Sequence, residues 1–395
     1  MKQVASFPRV AQEARDSDLQ SLFRGAIRLV LESVLDQEVR ELVGARRYER
    51  VGSRKDVLNG TYLRRLLTSM GEVEVRVPRT RNSGSPIEGV VDRYARRTEE
   101  LDDTITAAYV QGVSTRDMGR VAEALTGKNV SRSTVSRVTK SLEAQVEALR
   151  TAPISGAFRY LYLDATFLDA RWARAVESVS ALVAYGVDER GHRQLLGVTM
   201  GAEESEASWT ELLTQLTSRG LSGVELVIAD GHSGLASAVR KLLPETRLQR
   251  CTVHLERNIL TKAPHRLRGR LAGLVSNIFN AASLVDAKKQ KDAFASGLGR
   301  ELPEAMECLE NGFAAATQFF AFPSAHWKRI RSTNSLERLH GEIKRRTRAV
   351  GAFPDRASAL RLVTAVAIEA SEIWSDRRYL DMSLFNKEAS QTIAA

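Results

Sequence analysis

Two short apolar runs in this sequence each end in an aspartate. The first is Arg159-Tyr160-Leu161-Tyr162-Leu163-Asp164, and the second is Val224-Glu225-Leu226-Val227-Ile228-Ala229-Asp230. Runs of this length and composition are typical of strands buried in the sheet of an α/β protein. In open α/β sheets, ligands bind at the edge where the parallel strands end. The two runs therefore predict a mixed α/β sheet that presents Asp164 and Asp230 at a ligand-binding edge.

A carboxylate at the end of a strand also has an ordinary structural explanation. It can turn the chain or cap the helix that follows, and the sequence leaves this alternative open for Asp164 or Asp230 taken alone. The two together, with basic stretches further along the chain, instead suit hard divalent cations, which proteins hold through oxygen ligands.

Positive charge is concentrated in two separate stretches of the chain. The net charge is +10, from 58 Lys+Arg against 48 Asp+Glu. Residues 247–270 contain seven Lys/Arg and one acid, and residues 326–350 contain eight Lys/Arg and two acids. A single such stretch is usually a solvated face, but two that together exceed the whole net charge indicate one surface for a polyanion. Nucleic acid is the polyanion we expect.

The remaining composition excludes several classes of protein. The chain has 395 residues, 43% of them hydrophobic, as in ordinary globular domains. No stretch approaches the roughly 18 apolar residues of a membrane span. The opening MKQVASFPRVAQEARDSD lacks the continuous apolar region of a secretory signal, and two cysteines cannot form a disulfide framework. We therefore expect a cytoplasmic protein with no membrane partner.

The N-terminal part predicts one long helix and a β-hairpin. Apolar residues from Leu19 to Leu42 lie near helical spacing, which predicts an amphipathic helix for core packing or self-association. From Glu72 to Val77, after Gly71, polar and apolar residues alternate strictly, with the period of a half-buried strand. The polar segment at 79–86 then has the composition of a linker.

Three short helices in succession predict a helix-turn-helix. Ser114 and Ser131 are N-cap candidates for the second and third helices, and a Gly-containing turn separates these two helices. An ordinary three-helix packing unit fits this pattern about equally well. The third helix is basic and rich in hydroxyl groups, which favours a helix that reads DNA. Its predicted DNA contacts are Arg132, Ser133, Arg137 and Lys140.

A third carboxylate candidate, Glu337, lies in the second basic stretch. Leu336, Leu339 and Ile343 have the spacing of a buried helical stripe. The adjacent edge of that helix carries Glu337, His340, Lys344 and Arg348. One carboxylate followed by basic side chains would place a metal ligand beside a row of groups that bind phosphates. Asn334 and Glu337 also have capping-box spacing, so a purely structural role for Glu337 stays open.

The segment Cys251-Thr252-Val253-His254 raises the possibility of zinc. A structural zinc site needs four ligands, usually supplied as two pairs, and Cys308 and His326 are too scattered to form a convincing second pair. We expect instead a buried Cys251 in the core, with His254 and Arg257 on a helix that faces DNA.

Motifs in the same order along the chain closely resemble those of the Mutator-type bacterial insertion-sequence transposases. They are YLYLDAT, VIADGHSGLASAV, QRCTVHLERN and TNSLERLHGEIKRRTRAVGAFP. GTYLRRLLTSMGEVEVRVPRTR, GVSTRDM and VSRSTVSRV resemble the N-terminal half of that family. The resemblance covers roughly Arg50 to Ala370. Any one of these motifs is weak evidence, but their shared order is highly specific.

The resemblance implies the fold and the catalytic residues. It implies an α/β protein with an RNase H-like mixed-sheet catalytic core, interrupted by an all-α insertion and preceded by a helical, helix-turn-helix DNA-binding half. The implied Asp-Asp-Glu triad is Asp164, Asp230 and Glu337. Cys251 and His254 match the family's Cys-x-x-His signature, and Trp327 resembles the tryptophan before its glutamate. His340-Gly341 stand where we expect an Asn-containing pair, which leaves a DNA contact there open but not the triad.

We expect five segments on this basis. They are an N-terminal helical segment with a small β-hairpin module (1–98), a helix-turn-helix domain (99–150), the first part of the catalytic core (155–261), an all-helical insertion (262–326), and the second part of the core with C-terminal helices (327–395).

The expected activity is that of a DNA transposase with two Mg²⁺ ions per active site, for which Mn²⁺ can substitute, held by the three carboxylates. Its expected partners are double-stranded DNA, as terminal inverted repeats and as target, and a homodimer or higher homo-oligomer that joins two ends. It would work in the bacterial cytoplasm, associated with the nucleoid. The further DNA contacts expected are His254, Arg257, His340, Lys344, Arg345, Arg346 and Arg348, with Cys251 and Trp327 as structural residues.

Two other functions fit parts of the sequence. A DNA-binding regulator on a retired transposase scaffold would be indicated by loss of a triad carboxylate, and all three are present. A plain RNase H-like nuclease would not need the additional N-terminal DNA-reading half.

Overall fold

A computed structural model describes residues 19–46, 48–82, 96–172 and 175–385. Residues 83–86 of the predicted linker, and parts of the predicted first and last segments, lie outside this range. The chain divides into two compact units, Met1–Lys140 and Ser141–Ala395. The described residues form a mixed α/β protein, as the sequence predicts. No helix among them combines the length and the apolar character needed to cross a membrane.

The first unit begins with a helix packed on a β-hairpin. Helix α1 (Leu19–Val43) is followed by the antiparallel strands β1 (Leu58–Thr68) and β2 (Gly71–Thr80). The predicted alternation is confirmed, because Val73, Val75 and Val77 are buried in one cluster with Leu35 of α1. A strand places alternate side chains on one face, and here that face is covered by the helix.

Three short helices follow in the first unit. They are α2 (Glu99–Val110), α3 (Thr115–Thr126) and α4 (Arg132–Val138). Both predicted N-caps are confirmed: the hydroxyl of Ser114 accepts from the backbone N–H of Asp117 at 3.1 Å, and that of Ser131 accepts from Thr134 at 3.2 Å. These bonds satisfy N–H groups that a helix start leaves open. The role of these helices in reading DNA stays a prediction.

The second unit is built around a five-stranded mixed sheet. Its strands are β3 (Phe158–Trp172), β4 (Ala175–Asp188), β5 (Arg193–Gly201), β6 (Leu226–Ala229) and β7 (Arg247–Arg250). Their order across the sheet is β5-β4-β3-β6-β7. The pairs β5-β4 and β4-β3 are antiparallel, whereas β3-β6 and β6-β7 are parallel.

The prediction that the first strand ends at Asp164 is wrong. Strand β3 continues to Trp172 because its second half pairs antiparallel with β4, as far as Trp172 opposite Ala175. The parallel pairing with β6 is much shorter and ends at Leu163 opposite Ala229. Asp164 therefore lies in the middle of its own strand, yet at the level where the neighbouring strand stops.

Helices cover both faces of this sheet. On one face Leu161 and Leu163 pack in a buried cluster with Trp209 of α6 (Glu206–Ser218) and Leu235 of α7 (Ser233–Leu242). On the other face the rings of Tyr162 and Tyr185 stack with centroids 4.4 Å apart. Trp374 of α14 (Arg356–Ser375) lies 5.3 Å from Tyr185. The short helix α5 (Leu142–Thr151) contacts α14 and β5.

A helical segment separates β7 from the last part of the unit. Helices α8 (Thr252–Thr261), α9 (His265–Phe279), α10 (Leu284–Ser296) and α11 (Pro303–Ala316) bury their apolar faces in one cluster, which includes Leu255, Leu271, Phe294 and Leu309. The expected absence of strands from Lys262 to Pro323 is confirmed. Helices α12 (Trp327–Ile330) and α13 (Asn334–Thr347) then lead to α14.

The turn between β4 and β5 gives a test of this fold. Gly191 there has φ +86°, and a Cβ at this position would clash with the carbonyl oxygen of Leu380. Gly156 has a similar φ of +83°, but no atom lies within 4 Å of its built Cβ. We predict that Gly156→Ala lowers the free energy of unfolding by about 1 kcal/mol, the cost of the left-handed conformation. Gly191→Ala should lower it by about 3 kcal/mol or more, because the backbone has to move as well.

Urea unfolding of the two variants measures this difference. Equal losses of stability would contradict the packing of the segment around Leu380 against the β4–β5 turn.

Candidate active site

Asp164 and Asp230 lie next to each other on neighbouring strands. Each directly follows the last residue of the parallel β3-β6 pairing, Leu163 and Ala229. Adjacent strands are about 4.8 Å apart, so the two residues are neighbours at the carboxyl edge of β6. The backbone N–H of Ala165 donates to Asp164 Oδ1 at 3.0 Å, and the N–H of Gly231 donates to Asp230 Oδ1. The sheet thus brings together the two aspartates that the sequence singles out.

Asp164 is the more buried of the two. It is 8% exposed, whereas Asp230 is partly exposed. Burial raises the pKa of Asp164 to about 7, against the opposing effects of His254 and of the hydrogen bond from Ala165. A nearby cation strongly stabilises the ionised form of a carboxylate in such surroundings.

His254 lies between two of the three candidate carboxylates. Its Nδ1 is 3.8 Å from Asp230 Oδ1, and its Nε2 is 3.6 Å from Glu337 Oε1. The Cys251 thiol, and then the carboxylates of Asp230 and Asp164, raise the pKa of His254 to about 9 against the effect of burial. A positively charged imidazole at this position reduces the repulsion between the carboxylates.

Glu337 reaches the site from the first turn of α13. Its Oε1 also lies 3.8 Å from Nη2 of Arg257. The capping alternative is not observed, because Asn334 is the first helical residue and no side chain caps this helix. The predicted stripe is confirmed, since Leu336, Leu339 and Ile343 are buried. The carboxylate of Glu337 is therefore directed toward His254 and Arg257 and not to the helix start.

Cys251 joins the segments that carry these groups. Its side chain is fully buried, and its Sγ accepts a hydrogen bond from the backbone N–H of Thr333 at 3.4 Å. Its own N–H donates to the carbonyl oxygen of Ala229 at 2.7 Å. Cys251 thus links the end of β6 to the residue that precedes α13.

His340 lies behind Asp164. Its Nδ1 is 3.5 Å from Asp164 Oδ2, and the residue is 7% exposed. Burial lowers its pKa to about 4, so the ring is neutral at pH 7. In this conformation it offers little surface to DNA, and its DNA contact stays a prediction.

The other predicted DNA contacts fall into two groups. Arg346 is buried, and its guanidinium donates to both carboxylate oxygens of Glu369, at 2.6 and 3.1 Å. Arg345 pairs with Glu342 at 2.8 Å on the surface. The exposed residues are Arg257, Lys344, Arg345 and Arg348 in the second unit, and Arg132, Ser133, Arg137 and Lys140 in the first. Exposure is compatible with DNA contact, which stays a prediction for all of them.

Trp327 is packed at the end of the helical segment. Its indole Nε1 donates to the carbonyl oxygen of Phe322 at 2.6 Å, and its ring meets Phe320 edge-on at 4.8 Å. These contacts suit the structural role that we expect for it.

The carboxylates do not form a ready metal site in this conformation. Within the described ranges, no three His, Cys, Asp or Glu side chains are placed to hold one ion together. Asp230 and Glu337 each lie beside a different nitrogen of the His254 ring, so the imidazole stands next to both carboxylates where a shared ion would bind. The donor chemistry nevertheless fits Mg²⁺, which prefers carboxylate oxygens.

Sequence reasoning missed the residues that hold α13 in place. Ser335 on its first turn is hydrogen-bonded to the hydroxyl of Tyr185, 150 positions earlier in the chain. The backbone N–H of Thr252 donates to the carbonyl oxygen of Arg331 at 2.9 Å. No local spacing rule detects contacts between segments so distant in sequence.

Comparison with known proteins places the chain in a family. The family described as "Transposase, Mutator family" matches residues 1–377. The transposase for insertion sequence element ISRM5 of Rhizobium meliloti is 38% identical over 360 residues, covering 91% of this chain and 90% of that protein. The transposase for IS256 in transposon Tn4001 of Staphylococcus aureus is 35% identical, covering 89% and 91%.

The transposase for IS1081 of Mycobacterium tuberculosis is 34% identical over 368 residues, covering 93% of this chain and 89% of that protein. A match of this extent and identity agrees with the motif order in the sequence. The chain belongs to the Mutator family of transposases.

Proposed function

We propose that this transposase binds the terminal inverted repeats of an insertion sequence and catalyses metal-dependent DNA cleavage and strand transfer. One observation carries the proposal. Three carboxylates from separate segments, Asp164 in β3, Asp230 after β6 and Glu337 in α13, gather around His254 and His340. In a transposase family, such a group is the natural candidate for the catalytic centre. We propose an RNase H-like core for the sheet that carries it.

Asp164, Asp230 and Glu337 would hold the Mg²⁺ ions, or Mn²⁺ in their place. Bound there, two ions would activate the attacking water or 3′-hydroxyl and stabilise the leaving oxygen. The buried, electrostatically unfavourable position of Asp164 supports its role as a ligand, because a nearby cation stabilises its ionised form. No covalent link between protein and DNA is required, which agrees with the lack of an obvious nucleophile in the sequence.

The histidines would orient these carboxylates. His340 lies 3.5 Å from Asp164, and as a neutral ring it can donate a hydrogen bond from Nδ1. His254 would hold Asp230 and Glu337 near each other until DNA and metal arrive. Arg257 is exposed beside Glu337 and would contact a phosphate close to the cleaved bond.

Basic side chains outside the carboxylate group would bind the rest of the DNA. Lys344 is exposed on the helix that carries Glu337, and Arg348 is exposed directly after it, so both can neutralise phosphates near this helix. Helix α4, with its exposed Arg132 and Ser133, would read the terminal repeat in the major groove as part of a helix-turn-helix. Joining two transposon ends requires at least a homodimer, and the protein would act at the bacterial nucleoid.

The triad gives the first test of this function. We predict that Asp164→Asn, Asp230→Asn and Glu337→Gln each lower cleavage and joining by about a thousandfold or more, because metal ions contribute several kcal/mol to such reactions. Binding to the transposon end should stay nearly unchanged. Cleavage and gel-shift assays on end DNA measure the two effects.

Asp169→Asn is the matched control for the triad. Asp169 is exposed on the same strand as Asp164, so the substitution removes the same charge outside the carboxylate group. Retained cleavage in any triad variant would remove that residue from the site.

The Cys-x-x-His segment gives a second test. Cys251 is engaged with the backbone of Thr333, and His254 lies between carboxylates, so we predict no stoichiometric zinc in the purified protein. Elemental analysis of protein prepared without chelators measures the zinc content, with Cys251→Ser as the comparison. One zinc per chain in the parent protein, lost in the variant, would contradict this prediction.

A third test asks how the DNA-binding energy is divided between the basic residues after Glu337 and helix α4. Phosphate contacts position a duplex without reading it. Lys344→Ala combined with Arg348→Ala should therefore weaken binding to any DNA and reduce the salt slope by about one per lost contact. Arg132→Ala or Ser133→Ala should instead narrow the gap in affinity between the cognate end and random DNA.

Affinities for both DNAs over a salt series measure these effects. Lys241→Ala is the control, because Lys241 is exposed at the end of α7, outside both basic stretches. If Arg132→Ala leaves the ratio of the two affinities unchanged, end recognition lies elsewhere, for example in the β1–β2 hairpin.

A further inference from the structure

The helical segment between β7 and α12 contains a pocket of about 500 Å³, which lies between α9 and α10. Arg270 and Asn277 of α9, with Asn280 directly after it, line one side, and Gln290 of α10 lines the other. Leu274 and Phe294 supply apolar surface between them. The volume falls in the range of pockets that bind small molecules and single nucleotides.

Three polar side chains of this pocket have no protein partner. Within the described ranges, no hydrogen bond or ion pair engages the side chains of Arg270, Asn277 or Gln290. A carboxamide offers both a donor and an acceptor, as the edges of nucleobases require. A guanidinium binds phosphate through paired hydrogen bonds. Among the described residues, none with an acidic side chain lines the pocket. Arg270 and Asn277 are exposed and Gln290 is half-buried, so their polar groups are accessible and could bind the base and phosphate of one nucleotide.

The fourth polar residue attaches the pocket to the candidate active site. Asn280 Oδ1 accepts from Arg331 Nη1 at 2.7 Å, and the same nitrogen donates to the carbonyl oxygen of Phe279 at 3.0 Å. Arg331 immediately precedes the segment that begins α13, and its carbonyl oxygen accepts from Thr252 at the start of α8. The pocket wall is thus hydrogen-bonded to Arg331, which lies shortly before the helix that carries Glu337 and contacts the start of the helix that carries His254.

Helix α9 also offers DNA a close approach to the pocket. Gly269 and Gly273 are exposed, and no atom lies within 4 Å of a Cβ built on either. Glycine inside a helix costs about 1 kcal/mol relative to alanine, and packing does not explain these two. With Asn277 they form a row at i, i+4, i+8, beside the exposed Arg266 and Arg270. This row lets a DNA strand lie against the helix backbone and lead to the pocket.

We propose that this pocket holds a single nucleotide of the bound DNA with its base out of the stack. The inference rests on the proposed function, since it requires a DNA end at the carboxylates. Taking a base out of a duplex costs a few kcal/mol, and least where pairing is already interrupted. Because Arg331 links the pocket wall to the candidate active site, we expect the nucleotide concerned to lie within a few positions of the cleaved bond.

The experiment uses the full-length protein and end DNA with 2-aminopurine placed in turn at each position around the cleavage site. Binding of the parent protein should raise the fluorescence at one position, because the base leaves the stack. In the double variant Asn277→Ala, Gln290→Ala this rise should disappear. Cleavage should fall about tenfold, as expected for two lost hydrogen bonds. Neither substitution changes the charge of the protein, so its electrostatic attraction for DNA of any sequence should stay the same.

Asn311→Ala is the control, because Asn311 is an exposed carboxamide of α11 in the same helical segment but outside the pocket. It should keep both the fluorescence rise and the cleavage rate. If the parent protein cuts the end without a rise at any position, or the double variant keeps the rise, this inference is wrong and the proposed function stands. If the parent protein does not cut the end at all, the proposed function fails first.

Discussion

The four-residue parallel pairing of β3 with β6 sets the positions of the two aspartates, on which the rest of the candidate active site is built. It fixes Leu163 opposite Ala229, so Asp164 and Asp230 emerge side by side. The register is strongly specified, because Leu161 and Leu163 pack against α6 and α7, and a shift by one residue would turn Asp164 into that apolar cluster. Burying a carboxylate without a partner is costly enough to exclude the shifted arrangement.

The same strand end also places the third carboxylate. Cys251 hydrogen-bonds through its backbone to Ala229 and through its sulfur to Thr333, 82 residues further along. Ser335, held by Tyr185, adds a second attachment on the opposite face of the sheet from α6 and α7. Glu337 follows one helical turn after Thr333, so its position depends on buried contacts and not on the exposed surface around it. This explains how a carboxylate so distant in sequence can reach the two aspartates.

Much of this arrangement could be predicted from local sequence, and the reasons for the failures are physical. The helix caps at Ser114 and Ser131 and the stripe of Leu336 were predictable, because each depends on neighbours within a few residues. The end of β3 was not predictable. Pairing with β4 extends β3 to Trp172, and an apolar run does not reveal such a partner strand. Local sequence does not distinguish the cations after Glu337, yet Arg346 is buried against Glu369 of another helix while Lys344 and Arg348 remain exposed.

The helical segment and the candidate active site cannot vary independently. The chain leaves the sheet at β7 and returns through α12, and a segment joined only at such crossings normally moves relative to its core. Here Arg331 opposes such motion at the point of return, because its guanidinium is hydrogen-bonded to Phe279 and Asn280 while its carbonyl oxygen accepts from Thr252. A strand that pulls on the wall of the pocket therefore acts on Arg331, and through it on the start of the helix that bears Glu337. On the proposed function, DNA bound to the helical segment would in this way be coupled to the position of Glu337.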